Sequence, residues 1–328
     1  MMRAYILRRL LQAIPTLLGI TIISFAIMRF SPGDPVDLLT FNPKMTRAAR
    51  EALRHQLCLD RPVAEQYIIW MFGNEECDTK GIIRLDFGDS LFEKRPVLDM
   101  IVERIPATVE LTGLALAVGM LIGVSAGIYS AVKHGSLFDN LTRVWAVIGQ
   151  AVPAFWLGLI LILVFAVQLR WLPVGGRYTL NLESEKDFID HLRHLVMPVF
   201  VLATYWIAVL SRYMRTETLE VIRQDYIRSA RAKGVPNQRV YFWHAARNAL
   251  IPLATILGPA IGGLLAGAVI TETIFSWPGM GRMMIEAVFQ RDYTLLMANV
   301  IIGSVLVVGG NLLSDIFYVI VDPRIRLS

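Results

Sequence analysis

The sequence predicts an all-helical, polytopic membrane protein of about six transmembrane helices, with its N- and C-termini on the cytoplasmic side. Three observations carry that prediction. Of the 328 residues, 55% are hydrophobic and 18% charged, and the mean hydropathy of +0.52 lies above what a soluble domain with a mixed surface gives. Six windows of about 20 residues are almost free of charge, the length a helix rising about 1.5 Å per residue needs to cross roughly 30 Å of hydrocarbon. Lysine and arginine strongly outnumber aspartate and glutamate on alternate connections between those windows.

The windows are 10–28, 107–132, 144–168, 195–210, 250–275 and 295–321, the fourth being the shortest. Arg3, Arg8 and Arg9 precede the first window as they would in a signal peptide. Its apolar run is too long for such a leader, and no small-residue cleavage site follows, so it reads as a retained first span. With six spans, the N-terminus, the connection 133–143, the connection 212–247 and the C-terminus share one side. That side carries fifteen Lys and Arg residues against Asp139, Glu217, Glu220, Asp225 and Asp322, which marks it as the cytoplasm. The same bias accounts for the basic pI of about 9.3 without a nucleic-acid partner.

The chain divides into a cytoplasmic N-terminus with the first span (1–30), an external helical cap (31–104) and a transmembrane core (105–328), whose cytoplasmic loop covers about 212–250. In the cap, Ser31 to Pro35 stops the first span. Met45, Ala49, Ala52, Leu53 and Leu57 recur at helical spacing, and a second amphipathic stretch runs from Pro62 through Tyr67, Trp70 and Met71. Residues 86–90 read as a turn, and 96–105 as an amphipathic helix entering the second span at Pro106. Trp171 and Trp277, each beside a Pro-Gly turn, fit an interfacial aromatic belt. Both cysteines, Cys58 and Cys77, fall in the cap, where an oxidising compartment permits a disulfide; two unpaired thiols are the alternative.

No catalytic centre is encoded. The sequence lacks a phosphate-binding G-x-x-x-x-G-K-[ST] loop, an H-E-x-x-H metal helix and a G-x-S-x-G nucleophile elbow. His191 and His194 have a metal-like spacing but no third ligand near them, so neither metal nor cofactor is expected in this chain.

The loop 212–252 is different in kind. Residues 212–232 predict a helix extending the fourth span, and Gly234, Val235 and Pro236 break it. A second short helix over 237–247 places Val240, Tyr241 and Trp243 near one side and Arg239, His244 and Arg247 near another. Such an elbow can fill a groove on a partner, with small residues for close approach and arginines for orientation. The bland alternative is a basic loop that binds lipid headgroups.

Asp225-Tyr-Ile-Arg-Ser-Ala-Arg-Ala-Lys-Gly234, followed by His244-Ala-Ala-Arg-Asn-Ala-Leu-Ile-Pro252, closely resembles the EAA loop of ABC-importer permeases, in the variant found in the dipeptide and oligopeptide permease family. Leu7-Arg8-Arg9-Leu10, Pro32-Gly33-Asp34-Pro35, Phe87-Gly88-Asp89-Ser90, Pro153-Ala-Phe-Trp-Leu-Gly158, Thr271-Glu-Thr-Ile-Phe-Ser-Trp-Pro-Gly279 and Asp322-Pro-Arg324 resemble family segments in the expected order. Where the wider group begins its motif with an acid, this chain has Arg228, then Ser229 and Ala230.

The resemblance implies a non-catalytic, multi-pass subunit of the inner membrane. It would pair with a second homologous permease, with two ABC ATPase subunits that bind ATP and magnesium below, and with an extracytoplasmic substrate-binding protein above. Arg228, Ser229, Ala230, Lys233, Gly234, Arg239 and His244 would form the coupling region toward the ATPases. Di- or oligopeptides are the implied cargo, although members of the family also handle nickel complexes, heme and oligosaccharides.

Glu110, Glu272 and Asp315 are ionisable residues inside apolar windows. A charge at the bilayer centre costs about 3 kcal/mol unless it is paired or faces water, so each lines a translocation path or braces helices. An ion-driven carrier or channel working through these carboxylates is the rival reading. Gly258, Gly262, Gly263 and Gly267 predict close helix packing along the fifth span.

Overall fold

Long charge-free segments leave no water to satisfy backbone groups, so the chain satisfies them internally as helices. The computed structural model describes residues 2–30, 46–56, 58–77, 79–179, 188–250, 253, 260 and 268–321. Its elements are α1 (Met2–Phe30), α2 (Arg47–Gln56), α3 (Val63–Phe72), α4 (Val97–Val132), α5 (Leu137–Ala151), α6 (Ala154–Leu161), α7 (Phe188–Ile222), α8 (Asp225–Ala232), α9 (Asn237–Arg239), α10 (Ala246–Ala249), α11 (Val269–Ile274), α12 (Met280–Gln290) and α13 (Tyr293–Val321). A π-helical segment, Ile162–Gln168, continues α6, and another, Val240–Ala245, joins α9 to α10.

Four described helices are long and apolar enough to cross a bilayer: Leu7–Phe30 within α1, Val97–Val132, Phe188–Ile222 and Tyr293–Leu312. The third predicted span departs from expectation. Instead of one straight helix over 144–168, α5 and α6 form a pair bent by 100°. Pro153 lacks an N–H to continue the α5 ladder and pushes Val152 into an extended conformation (φ −74°, ψ 122°). Pro106 has no such effect: α4 runs unbroken through it, so the predicted 96–105 helix and second span are one element. The fourth span is likewise longer than its apolar window, as α7 has 35 residues. Most of the fifth window, with its four glycines, lies outside the described residues, as do Ser31 to Pro35, Met45, Leu57 and Asp322 to Arg324.

The chain forms two compact units. The first is built mainly from residues 107–282. In it α5 lies against α7, with Gly149 at the closest approach: a Cβ there would sit 3.0 Å from Ala208 Cβ and 3.2 Å from the Thr204 carbonyl. The second contains residues 7–106 and 283–306. In it Phe25 of α1 meets Tyr67 and Trp70 of α3, each at 5.4 Å between ring centroids, and Thr21 is hydrogen-bonded to the Tyr67 hydroxyl at 2.8 Å. The turn expected at 86–90 falls instead at 91–93, while within 86–90 the Gly88 N–H donates to Asp86 Oδ1 at 3.1 Å. Ser90 Oγ donates to the buried Asp292, whose other oxygen accepts from the Leu295 N–H at 3.1 Å and so caps α13.

Cys58 and Cys77 are joined by a disulfide, with their Cα atoms 5.9 Å apart. The bond closes a loop that holds α3. Cross-linking a loop of this size removes unfolded-state freedom equivalent to about 3 kcal/mol. Cys58→Ser with Cys77→Ser should therefore lower the melting temperature of the detergent-purified chain, and reductant should do the same to the unsubstituted chain only. Equal melting with and without reductant would rule this stabilisation out.

Candidate functional site

The predicted elbow is assembled from three pieces rather than two. α7 ends at Ile222, the chain turns at Arg223 and Gln224, and α8 starts afresh at Asp225. The predicted continuous helix 212–232 is thus broken before Gly234. Gln224 adopts an extended conformation (φ −74°, ψ 152°) that α7 cannot propagate through, while Asp225 supplies the negative charge favoured in a first turn. A second break comes at Gly234, whose φ of +75° is left-handed and suits glycine. The Gly234 N–H donates to the Arg231 carbonyl at 2.9 Å and closes the end of α8.

One side of the elbow is buried. Ile227, Val240, Ala245, Ala246 and Ala249 pack with Leu210, Met214 and Val221 of α7 and Ile128 of α4 in a single apolar cluster, against which Ala230 and Val235 also pack. Two polar staples fix its internal angle. Arg231 Nη2 donates to the Tyr241 hydroxyl at 2.9 Å with its guanidinium 5.2 Å from that ring's centroid, and Asn248 Nδ2 donates to the Tyr226 hydroxyl at 2.8 Å. The other side is open. Gln238, Arg239, Phe242 and Trp243 line a hollow, with Phe242 50% and Trp243 65% exposed.

Trp243 therefore does not share a side with Val240, contrary to the helical-wheel expectation. The reason is the π winding of Val240–Ala245, whose smaller rotation per residue leaves the third residue short of returning to the side of Val240. Of the seven predicted coupling residues, Lys233 and Gly234 form the exposed corner and Arg239 lines the hollow. Arg228 forms an exposed pair with Asp225 at 3.4 Å, and Ser229 Oγ donates to the Asp225 carbonyl at 3.0 Å. The side chain of His244 lies outside the described residues. Sequence reasoning missed Phe242; two adjacent aromatics in a basic loop were the available signal.

The intramembrane acids meet partners. Glu272 of α11 is fully buried. It accepts from Thr108 Oγ1 at 2.9 Å and from the Arg282 N–H, in the first turn of α12, at 3.0 Å. Thr108 Oγ1 accepts in turn from the Met280 N–H at 2.8 Å. Gly279 makes room, since a Cβ there would lie 2.3 Å from Glu272 Cδ. Trp277 is fully buried and its Nε1 donates to the Ala107 carbonyl at 2.8 Å, so it belongs to this brace and not to an interfacial belt; Trp171, 65% exposed, fits the belt.

Glu110 accepts from Arg177 through Nη2 at 2.7 Å and Nε at 3.1 Å, and is hydrogen-bonded to His191 Nε2. His191 also donates from Nδ1 to the Arg177 carbonyl at 3.1 Å, so its ring is committed to this brace. Among the described residues no group of three or more His, Cys, Asp and Glu side chains is placed to hold a metal ion. Asp315 lies on α13 with its side chain outside the described residues.

A buried ion pair was not anticipated. Asp139, 1% exposed, accepts from Arg215 Nε at 2.6 Å and Nη2 at 2.9 Å, from the Gly135 N–H at 2.9 Å and from the Ser130 hydroxyl. Ser136 caps α5 by accepting from the Asp139 N–H, and the Ser-x-x-Asp spacing was the local signal for that half of the arrangement.

Residues 123–327 match the family described as binding-protein-dependent transport system inner membrane component, and residues 1–112 match its N-terminal companion. The chain belongs to this family. Its members are transport permeases of the inner membrane, not catalytic subunits, and they work with a substrate-binding protein. The oligopeptide transport system permease protein AppB of Bacillus subtilis is 46% identical over 326 residues, covering 99% of this chain and 100% of that one. The dipeptide transport system permease protein DppB of Escherichia coli is 38% identical over 344 residues, covering 99% of each. A chain of the MetNI methionine ABC transporter, solved in inward-facing conformations, superposes with a TM-score of 0.54 at 17% identity. That match covers 69% of this chain and 97% of the other, and places the fold among ABC-importer permeases.

Proposed function

We propose that the chain is a permease subunit of an ATP-driven importer of di- or oligopeptides, coupled to cytoplasmic ATPases through the elbow 225–249. The observation that carries the reading is the two-sidedness of the elbow. It is seated on α7 and α4 by an apolar cluster, while Arg239, Phe242 and Trp243 line an open hollow with no partner surface among the described residues. The full-length similarity to oligopeptide and dipeptide permeases supports the cargo class.

In this reading the termini, the α4–α5 turn and the elbow are cytoplasmic and the cap 31–104 is external. A second permease completes the path, two ATPases below bind ATP and magnesium, and a binding protein delivers peptide from above. At about 1.5 Å per residue α7 is roughly 52 Å long, well beyond the roughly 30 Å hydrocarbon core. It thus reaches from the path to the cytoplasmic contact as one rigid element. Closure of the ATPases moves the groove around Phe242 and Trp243, and the shared cluster passes the displacement to α7 and α4. The coupling is a bistable packed interface acting between two distinct sites.

The test is uptake into proteoliposomes that hold the whole complex. Labelled dipeptide should accumulate only with ATP and binding protein present, and an ionophore should leave accumulation unchanged. Uptake that needs no ATP and collapses with the ionophore would favour the ion-driven carrier and overturn the proposal.

A further inference from the structure

The space between α5 and α7 closes tightly at Gly149 but opens, two turns nearer the start of α5, into a cavity of about 150 Å3. This is far above the roughly 10–15 Å3 that one water needs. Its walls are Thr142, Arg143, Ala146 and Val147 from α5, and Ser211, Arg212, Arg215 and Thr216 from α7. Arg143 and Arg212 thus line the same pocket as Arg215, while the Ser211 and Thr216 hydroxyls donate to the Ala208 and Arg212 carbonyls of their own helix.

Arg215 is neutralised by the buried Asp139. Neither Arg143 nor Arg212 has an acidic partner among the described residues, so the pocket keeps two uncompensated positive charges. Its surroundings are apolar. Leu141, Val144, Trp145, Val147 and Ile148 of α5 are all exposed, the profile of a helix face in contact with lipid.

We infer that this pocket binds the phosphate headgroup of an anionic phospholipid. Guanidinium groups match phosphate oxygens in pairs, and Val147 with its exposed apolar neighbours continues from the charged end as a wall for acyl chains. A basic pocket between spans at the cytoplasmic surface fits such a headgroup, whereas snorkelling arginines without a pocket would attract lipid only diffusely. The assignment of leaflet rests on the orientation proposed above; the binding chemistry does not.

The probe is phosphatidylglycerol against phosphatidylcholine. The whole complex is purified from mixed-lipid nanodiscs, and lipid retained on this chain is read by native mass spectrometry. The unsubstituted chain should retain phosphatidylglycerol preferentially. Arg143→Gln with Arg212→Gln should erase the preference, by roughly fivefold for each arginine. Arg143→Lys with Arg212→Lys, which keeps the charge, should preserve most of it and controls for folding. Unchanged retention in the Gln variant would overturn the proposal. So would displacement of the lipid by millimolar inorganic phosphate, which would make the pocket a site for free anions. Because retention is measured without transport, failure here leaves the coupling proposal untouched, and failure of coupling leaves this one untouched.

Discussion

ATP-driven uptake should fall below detection when Phe242 and Trp243 are both replaced by Ala, while membrane insertion and melting temperature stay as they were. Both rings are half or more exposed and neither belongs to the cluster that seats the elbow, so their removal opens no cavity inside this chain. Aromatic anchors at the centre of a docking surface are worth about 2 kcal/mol or more each, so losing two weakens docking by roughly a thousandfold. Val240→Ala is the informative contrast. Val240 is fully buried, and its truncation should lower stability as well as uptake.

Gly234 behaves differently again. No atom lies within 4 Å of where its Cβ would sit, so Gly234→Ala clashes with nothing and costs only the left-handed φ, about 1–2 kcal/mol. Gly234→Arg adds bulk on the exposed corner and should block docking. ATPase co-purification and uptake together check the set. Wild-type uptake in the Phe242, Trp243 double variant would move the docking surface elsewhere.

Glu272→Ala should lower the melting temperature by about 4 °C, from a destabilisation of about 3 kcal/mol. The substitution strands the fully buried Thr108 hydroxyl and the part-buried Arg282 N–H, and leaves the volume beside Gly279 empty. Glu272→Gln keeps the shape and an accepting oxygen, and should lose about 1 kcal/mol. The pair of variants separates brace from path. If Glu272→Ala melts normally yet fails to transport, the carboxylate serves the cargo and the brace is incidental.

What the sequence made legible was local. Apolar length gave the spans, the Gly-x-Pro corner gave an elbow near 234, and helical spacing gave the amphipathic pieces of the cap. Pro153 stood in plain view inside the third window, yet Pro106 and Pro198 sit within unbroken helices, so only the packing around a proline decides whether it bends the chain. The partners of the acids were not legible. Thr108 lies 164 positions from Glu272 and Arg215 lies 76 from Asp139, and no periodicity links residues so far apart. The π winding at 240–245 leaves no compositional mark either, which is why the wheel misplaced Trp243.

The cluster under the elbow bears on timing as well as on force. Ile227 and Val240, on opposite sides of the Gly234 corner, are both fully buried against the same two long helices. A corner held at both ends has no slack. A fluctuation of the elbow by itself must first open that cluster, so its excursions are rare and the noise reaching the spans is low. In the coupling proposed above, a signal passes upward only when the whole cluster shifts as a body, so the elbow would act as a filter that rejects small jolts and passes large ones.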